Sequence, residues 1–302
     1  MKCPISILII IFSNFTFAIL LGGCTENTTD PSDPPVAGYT QVDFEPSWSS
    51  DAGWIAYVHS DIDNKYTGIY IINSGGTNER IIVSDFARCP CWSPDDQWIA
   101  FSQFNNIYKI KINIDSLTQL TSDGKNFFPA WSMDSGLIAY SNSMNSIDYS
   151  IMLMNTDGTQ KRIIDGNGNY PAWINGSGSL IYFKPAKDIS GSQNGDTLVR
   201  YFLTGNIKQA VTVLNGSEHL VNMYPVFAGD RFIFCSSDST GSVYIYSMDT
   251  DGNNILKLTS GQGYSPDFSF ANKKIVYTNR SLGNGRIWIM DKNGDNKTQV
   301  TF

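Results

Sequence analysis

Pro90-Cys91-Trp92-Ser93-Pro94-Asp95-Asp96-Gln97-Trp98-Ile99-Ala100-Phe101 is the stretch on which the reading of this 302-residue sequence turns. Two apolar, strand-like runs flank a Ser-Pro-Asp-Asp turn. Proline presets φ there, and aspartate can bond its own backbone. The Pro-x-aromatic head recurs at Pro46-Ser47-Trp48, Pro129-Ala130-Trp131, Pro171-Ala172-Trp173, Pro225-Val226-Phe227 and Pro266-Asp267-Phe268. Ile-Ala-Tyr or a close variant follows each head after a short turn. The six prolines are 44, 39, 42, 54 and 41 residues apart.

The third repeat shows what one unit contains. Phe128–Ser132 begins it, Met133-Asp134-Ser135-Gly136 turns the chain, and Leu137–Ser141 returns. Ile151–Asn155, a Thr156-Asp157-Gly158-Thr159 turn and Arg162–Ile164 complete it. Asp-Gly between strand-like runs is a strong hairpin signal, because glycine accepts positive φ. Ser74-Gly75-Gly76, Asp251-Gly252 and Asn293-Gly294 occupy the same place elsewhere. Four strands per repeat follow: A (Pro-x-Trp), B (Ile-Ala-Tyr), C (Ile-Tyr-x-x-Asn) and D (Leu-Thr). A period of about 40–45 residues built from short strands specifies a β-propeller. The expected fold is all-β: a six-bladed propeller of four-stranded antiparallel blades over 39–302, with Thr298–Phe302 as its last strand and no room for a further domain after it.

An up-and-down meander puts the A–B and C–D turns on one rim and the B–C and D–A connections on the other. The first set is short and stereotyped. The second varies from the brief Gln103–Asn106 to Ser141–Ser150 and Lys184–Thr197. Binding resides on variable loops held by a rigid scaffold, so the second rim is the expected functional face. Ring closure has two solutions on the page: Thr40–Phe44 pairs beside the last strand, or the last blade packs on the first.

Residues 1–23 read as a signal peptide. Lys2 is the only charge, and an apolar run from Ile5 to Leu21 follows, too short and wrongly flanked for a spanning helix. Leu21-Gly22-Gly23-Cys24 resembles the lipobox of bacterial lipoproteins, which implies cleavage before Cys24, lipidation of that residue and a place in the cell envelope, periplasmic or surface-facing. Residues 24–38 carry three prolines and little hydrophobicity, the composition of an extended tether. Acyl chains at Cys24 would supply the membrane affinity.

Lys and Arg total 21 against 28 Asp and Glu, a net charge of −7, and loss of Lys2 makes it one unit more negative. No basic run exists, which argues against nucleic acid as a partner and against an anionic lipid surface. Of five cysteines, Cys3 falls in the signal and Cys24 at the anchor, leaving Cys89, Cys91 and Cys235. An odd number is no disulfide framework. Cys89 and Cys91 share a face of one strand and read as small buried apolar residues, with Ala130, Ala172 and Val226 at the equivalent positions. A metal or redox role for the pair is the less favoured reading.

The catalytic inventory is thin. No Gly-x-Ser-x-Gly elbow occurs, nor an α/β segment to carry one. The two histidines, His59 and His219, come from distant repeats, and no metal or cofactor is expected. His59 reads as a hydrogen-bonded rim residue; His219 sits on a long D–A connection and is kept as a candidate. Asp51, Asp95, Asp134, Asp157, Asp251 and Asp295 read as turn chemistry. Asp61 and Asp63 lie in a variable loop but lack the glycine and distal glutamate of a calcium loop. Near the strand A prolines, Arg88, Phe127, Phe128, Tyr170, Tyr224 and Tyr264 would ring a channel mouth, together with Met223. Aromatics and arginine dominate protein recognition sites; the competing reading is packing between blades.

Pro90–Phe101 resembles the WD40-like (PD40) repeat of the TolB propeller, and Val243–Thr259 is similar to its C–D portion. The resemblance spans all six repeats and is weakest at Trp173-Ile174-Asn175-Gly176, Ala228-Gly229-Asp230 and Ser269-Phe270-Ala271-Asn272. TolB itself has an α/β domain before its propeller, whereas a short tether stands there in this chain. Related repeats occur in the non-catalytic propellers of prolyl oligopeptidase-like enzymes and in some polysaccharide lyases. The expected function is a monomeric, non-enzymatic, lipid-anchored envelope module that binds a protein or peptide on the variable rim. The alternative is a carbohydrate-binding or polysaccharide-degrading propeller that uses carboxylates at the channel mouth.

Overall fold

A computed structural model of the protein describes residues 8–12, 15–19, 41–61, 66–114, 116–134, 136–143, 148–187, 193–214, 219, 221–281 and 283–302. Cys24, the tether and Asp63 lie outside the described residues. Leu8–Phe12 and Phe15–Ile19 pair antiparallel as a two-stranded sheet of their own, within the segment expected to be a signal peptide.

From Gln41 onward the described residues form six four-stranded sheets, each a meander of consecutive strands. The A strands are Gln41–Trp48, Ala87–Trp92, Asn126–Trp131, Asn169–Ile174, Val221–Phe227 and Gly263–Phe268. The B strands are Trp54–Asp61, Trp98–Gln103, Leu137–Ser143, Ser179–Lys187, Arg231–Ser237 and Lys274–Asn279. The C strands are Gly68–Asn73, Asn106–Lys111, Tyr149–Asn155, Gln193–Phe202, Val243–Asp249 and Arg286–Asp291. The D strands are Arg80–Ser84, Ser116–Gln119, Arg162–Asp165, Ile207–Leu214, Leu256–Lys257 and Thr298–Gln299. The molecule is a six-bladed β-propeller.

The core is divided among the seams between blades. Each of six apolar clusters joins two neighbours. Strand alternation explains the Ile-Ala-Tyr phrase. Ile99 and Phe101 face the seam with blade one, while Ala100 between them faces blade three, where Trp131, Ile138 and Tyr140 need the room. Large residues on one face of a blade thus meet a small residue and the strand C isoleucines of the preceding one. Each large side chain so buried contributes about 1.5–3 kcal/mol.

The ring closes by the same packing. Trp48, Ile55 and Tyr57 of blade one meet Val276, Ile287 and Val300 of blade six. Asp43 N donates to Gly285 O at 2.9 Å, as Asn126 N does to Asn105 O at 2.8 Å between blades two and three. Gln41–Phe44 belongs to strand A of blade one, so the strand-sharing solution is not the one used. The last blade packs on the first.

The turns use the expected chemistry. Ser132 Oγ donates to Asp134 at 2.6 Å and accepts from Leu137 N at 2.9 Å, and Ser49-Asp51 repeats the pattern. In the C–D turns, Gly294 has φ +91, and a Cβ there would lie 2.8 Å from Leu258 O of blade five. Two boundaries need correction. The Leu-Thr phrase lies beyond strand D: strand D of blade six is Thr298–Gln299, and Thr301 Oγ1 accepts from Ile287 N at 3.0 Å as the chain leaves the sheet. Lys184–Thr197 is not a simple loop. Lys184 pairs with Thr197, Pro185 with Asp196 and Lys187 with Gln193, so strands B and C of blade four extend as a ribbon. Period-2 continuation through Lys and Pro is invisible to hydrophobic alternation.

Candidate functional site

Every strand A is interrupted by a β-bulge just before its proline. The residue preceding each proline is Glu45, Cys89, Phe128, Tyr170, Tyr224 or Ser265, with φ of +53, +53, +54, +57, +51 and +47. Left-handed backbone is costly for side-chain-bearing residues, yet all six adopt it. A bulge re-aims its side chain. Here it turns six side chains of five kinds into the central channel, where they line a cavity of about 140 Å³ with the six prolines and with Ser47, Cys91, Ala172, Val226 and Asp267.

The side chains sort into two halves. Phe128, Tyr170 and Tyr224 pack on one another across the channel, with centroids 4.5 Å apart for Phe128–Tyr170, 4.7 Å for Tyr170–Tyr224 and 5.8 Å for Phe128–Tyr224. Facing them is Glu45, only 5% exposed. Arg88 Nε lies 3.0 and 2.9 Å from its two oxygens, Arg88 Nη2 makes a further bond, and Cys89 N donates at 2.7 Å. Tyr224 Oη stands 3.4 Å from Glu45 Oε1 and joins the halves. Burial alone would raise the Glu45 carboxyl, but the Arg88 charge and these donors outweigh it and hold it below its ordinary range. Burial lifts the Tyr170 and Tyr224 hydroxyls well above theirs, so both rings are neutral.

Asp267 is the second acid on the cavity wall. It accepts from Trp48 N at 2.7 Å across the closing seam and from Phe268 N at 2.8 Å. Burial outweighs these donors and pushes its carboxyl up to about 6. Burial also raises all three described thiols, with Cys91 and Cys235 reaching about 12. Among the described residues no group of three or more His, Cys, Asp or Glu side chains could hold a metal ion.

A family model described as the dipeptidyl peptidase IV (DPP IV) N-terminal region matches residues 62–132. No curated protein matches the sequence. Among solved structures, TolB from Acinetobacter baumannii aligns with TM-score 0.65 and 18% identity over 86% of this chain and 63% of its own. The putative TolB from Agrobacterium tumefaciens aligns with TM-score 0.61 and 18% identity over 74% of this chain and 84% of its own. The β-propeller domain of the Trilobed protease from Pyrococcus furiosus, described as having an open velcro topology, gives TM-score 0.56 and 13% identity over 88% and 85%. The chain carries a TolB-like six-bladed propeller. It spans less than two thirds of the Acinetobacter TolB.

Of the residues expected around the channel of this TolB-like propeller, Phe128, Tyr170 and Tyr224 line it. Arg88 reaches its edge through Glu45. Phe127 and Tyr264, one position earlier, do not line it. Phe127 meets Tyr149 edge-on at 6.2 Å, and Tyr264 packs in the seam of blades five and six. His219 is half-buried beside Ser236 Oγ at 3.2 Å, its ring 4.9 Å from Tyr246. His59 Nδ1 is 2.7 Å from Asp43 Oδ1, a hydrogen bond that raises its pKa. Asp61 accepts from Tyr66 N at 3.3 Å.

Glu45, Ser265 and Asp267 are absent from the sequence reading of the channel. Alignment of the residue immediately before each proline would have found the first two. Choosing aromatics by type merged two positions, only the second of which lines the cavity. The reading of Cys89 and Cys91 is corrected for the same reason. Cys91 is equivalent to Ala130 and Ala172, but Cys89 is equivalent to Phe128 and Tyr170 and belongs to the channel ring.

Proposed function

We propose that this chain is a non-enzymatic envelope module, lipid-anchored through Cys24, that engages a protein or peptide at the variable-rim end of its TolB-like propeller. The observation that carries the reading is the channel ring, where three mutually packed aromatics stand beside a salt-bridged Glu45–Arg88 pair. Aromatics and arginine in a partly desolvated pocket are the residue types of interaction hot spots. The glycan-degrading alternative needs one carboxyl to protonate and another to act opposite it. Glu45 and Asp267 both line the cavity, but Glu45 is held by Arg88 and Cys89, and Asp267 by two backbone N–H groups. These fixed donors favour structural roles for both acids. Envelope placement rests on the apolar leader and on the sequence Leu21-Gly22-Gly23-Cys24.

The test is a crosslinked pull-down from intact envelopes with the wild type, Cys24→Ala and a Tyr170→Ala/Tyr224→Ala variant. One envelope protein is expected with the wild type and lost with the tyrosine variant; acyl labelling is expected to vanish with Cys24→Ala. Undiminished capture by the tyrosine variant would remove the channel from the function. Retention on cell-wall polysaccharide without any protein would favour the glycan reading.

A further inference from the structure

The variable rim of blades one and two carries large exposed aromatics outside the channel. Tyr66 is 52% exposed, Phe86 43% and Phe104 67%. They come from the B–C connection of blade one, the D–A connection that follows, and the B–C turn of blade two. Asp85 N donates to Thr67 O at 3.1 Å, so the residues beside them, Phe86 and Tyr66, share one edge. Ala87 pairs with Gln103, so Phe86 and Phe104 stand one step further out on facing strands.

Phe104 is not accounted for by the fold. It and Asn105 form a two-residue turn with φ of +48 and +56. Such a turn favours asparagine and glycine, and left-handed backbone is an outlier for a bulky side chain. A ring two-thirds exposed gains little from burial in return. Among the described residues the charge around these aromatics is mainly acidic. Asp61 is half-buried, with Oδ2 on Tyr66 N, while its buried Oδ1 has no hydrogen-bond partner among the described residues. Asp85 and Asp123 are exposed on the flanking connections, with Lys125 the described cation beside them. Arg88 is committed to Glu45, and His59 and Arg286 both face Asp43.

We infer that this edge is the docking surface for an extended basic peptide segment, whose apolar side chains cover Phe86 and Phe104 while its lysines or arginines meet Asp61 and Asp85. The inference rests on the polypeptide-binding reading above and names the surface and the partner's charge. Charge complementarity selects the occupant: the chain is net −7, and the local carboxylates repel anionic lipid and acidic peptides alike.

The test uses the full-length protein and a labelled octapeptide of alternating lysine and phenylalanine, with a glutamate-for-lysine control. The lysine peptide is expected to bind at least about tenfold tighter and to weaken with added salt. Phe104→Asn is expected to lower its affinity about tenfold while Tm stays level or rises, because asparagine suits the turn. Asp85→Asn should lower affinity by about threefold and flatten the salt response. Equal binding of both peptides, or unchanged affinity in Phe104→Asn, overturns the inference. So does Phe104-dependent retention on phosphatidylcholine vesicles without peptide binding. The Tyr170→Ala/Tyr224→Ala variant runs alongside: if it loses an envelope partner that Phe104→Asn still captures, the basic-peptide surface fails and the proposed function stands.

Discussion

The seams between blades and the channel ring sit a few residues apart on the same strands, and they obey opposite rules. Two positions after each proline the residue is always aromatic: Trp48, Trp92, Trp131, Trp173, Phe227 or Phe268. One position before it the backbone repeats, with φ between +47 and +57 in all six blades, while the side chains are acid, thiol, aromatic or hydroxyl. A seam must be filled to the density of an organic crystal, so shape dictates its residues. The channel keeps a cavity of about 140 Å³, so shape constrains its residues less, and the bulge delivers whichever side chain stands there. Repetition of sequence marks architecture; repetition of backbone with free choice of side chain marks the place where we propose that function is written.

Matched substitutions test that contrast. Phe101→Ala removes a ring with no exposure from the seam of blades one and two. It should cost about 4 kcal/mol in urea titration. Phe128→Ala removes the same ring from the channel, where it is only half-buried. About 1 kcal/mol is expected. Equal losses would erase the distinction between seam and ring. Within the ring, Glu45→Ala leaves the Arg88 guanidinium without its partner and should cost about 3 kcal/mol. A loss under about 1 kcal/mol would mean that water replaces the carboxylate freely.

Asp267 ties the channel to the closing seam, and its effect depends on pH. Its carboxyl is raised from the ordinary 3.8 to about 6, so folding favours the protonated acid. Its contribution is full below the ordinary value and is lost as pH rises through about 6. The stability of the wild type relative to Asp267→Asn should therefore fall between pH 4 and pH 7. A difference that does not change with pH would show that the two backbone donors, not burial, control this group. The smallest effect is expected of Tyr224→Phe, which removes only the 3.4 Å contact to Glu45 and should shift stability by less than about 0.5 kcal/mol.

The repeat made the blades legible because Pro-x-Trp and Ile-Ala-Tyr are seam residues, and seams recur six times. The extension of blade four was not legible, because Lys184, Pro185 and Asp196 carry no apolar alternation. The site was half legible. Tyr170 and Tyr224 announced themselves by type, but Phe127 and Tyr264 did so equally and face elsewhere. Glu45 drew no reading from the sequence, because its partner across the seam, Arg88, lies 43 positions away.

The sequence by itself determined the number of blades, the order of strands and the division into a stereotyped and a variable rim, because local hydrogen bonding and period-2 burial are written in short segments. Only the tertiary structure decided which side chains meet. Closure of the ring, the convergence of six bulges on one axis and the pairing of Glu45 with Arg88 join residues 43 to 245 positions apart in the chain. Such contacts depend on how blades turn about a common centre, and a pattern that repeats along the chain carries no record of that rotation.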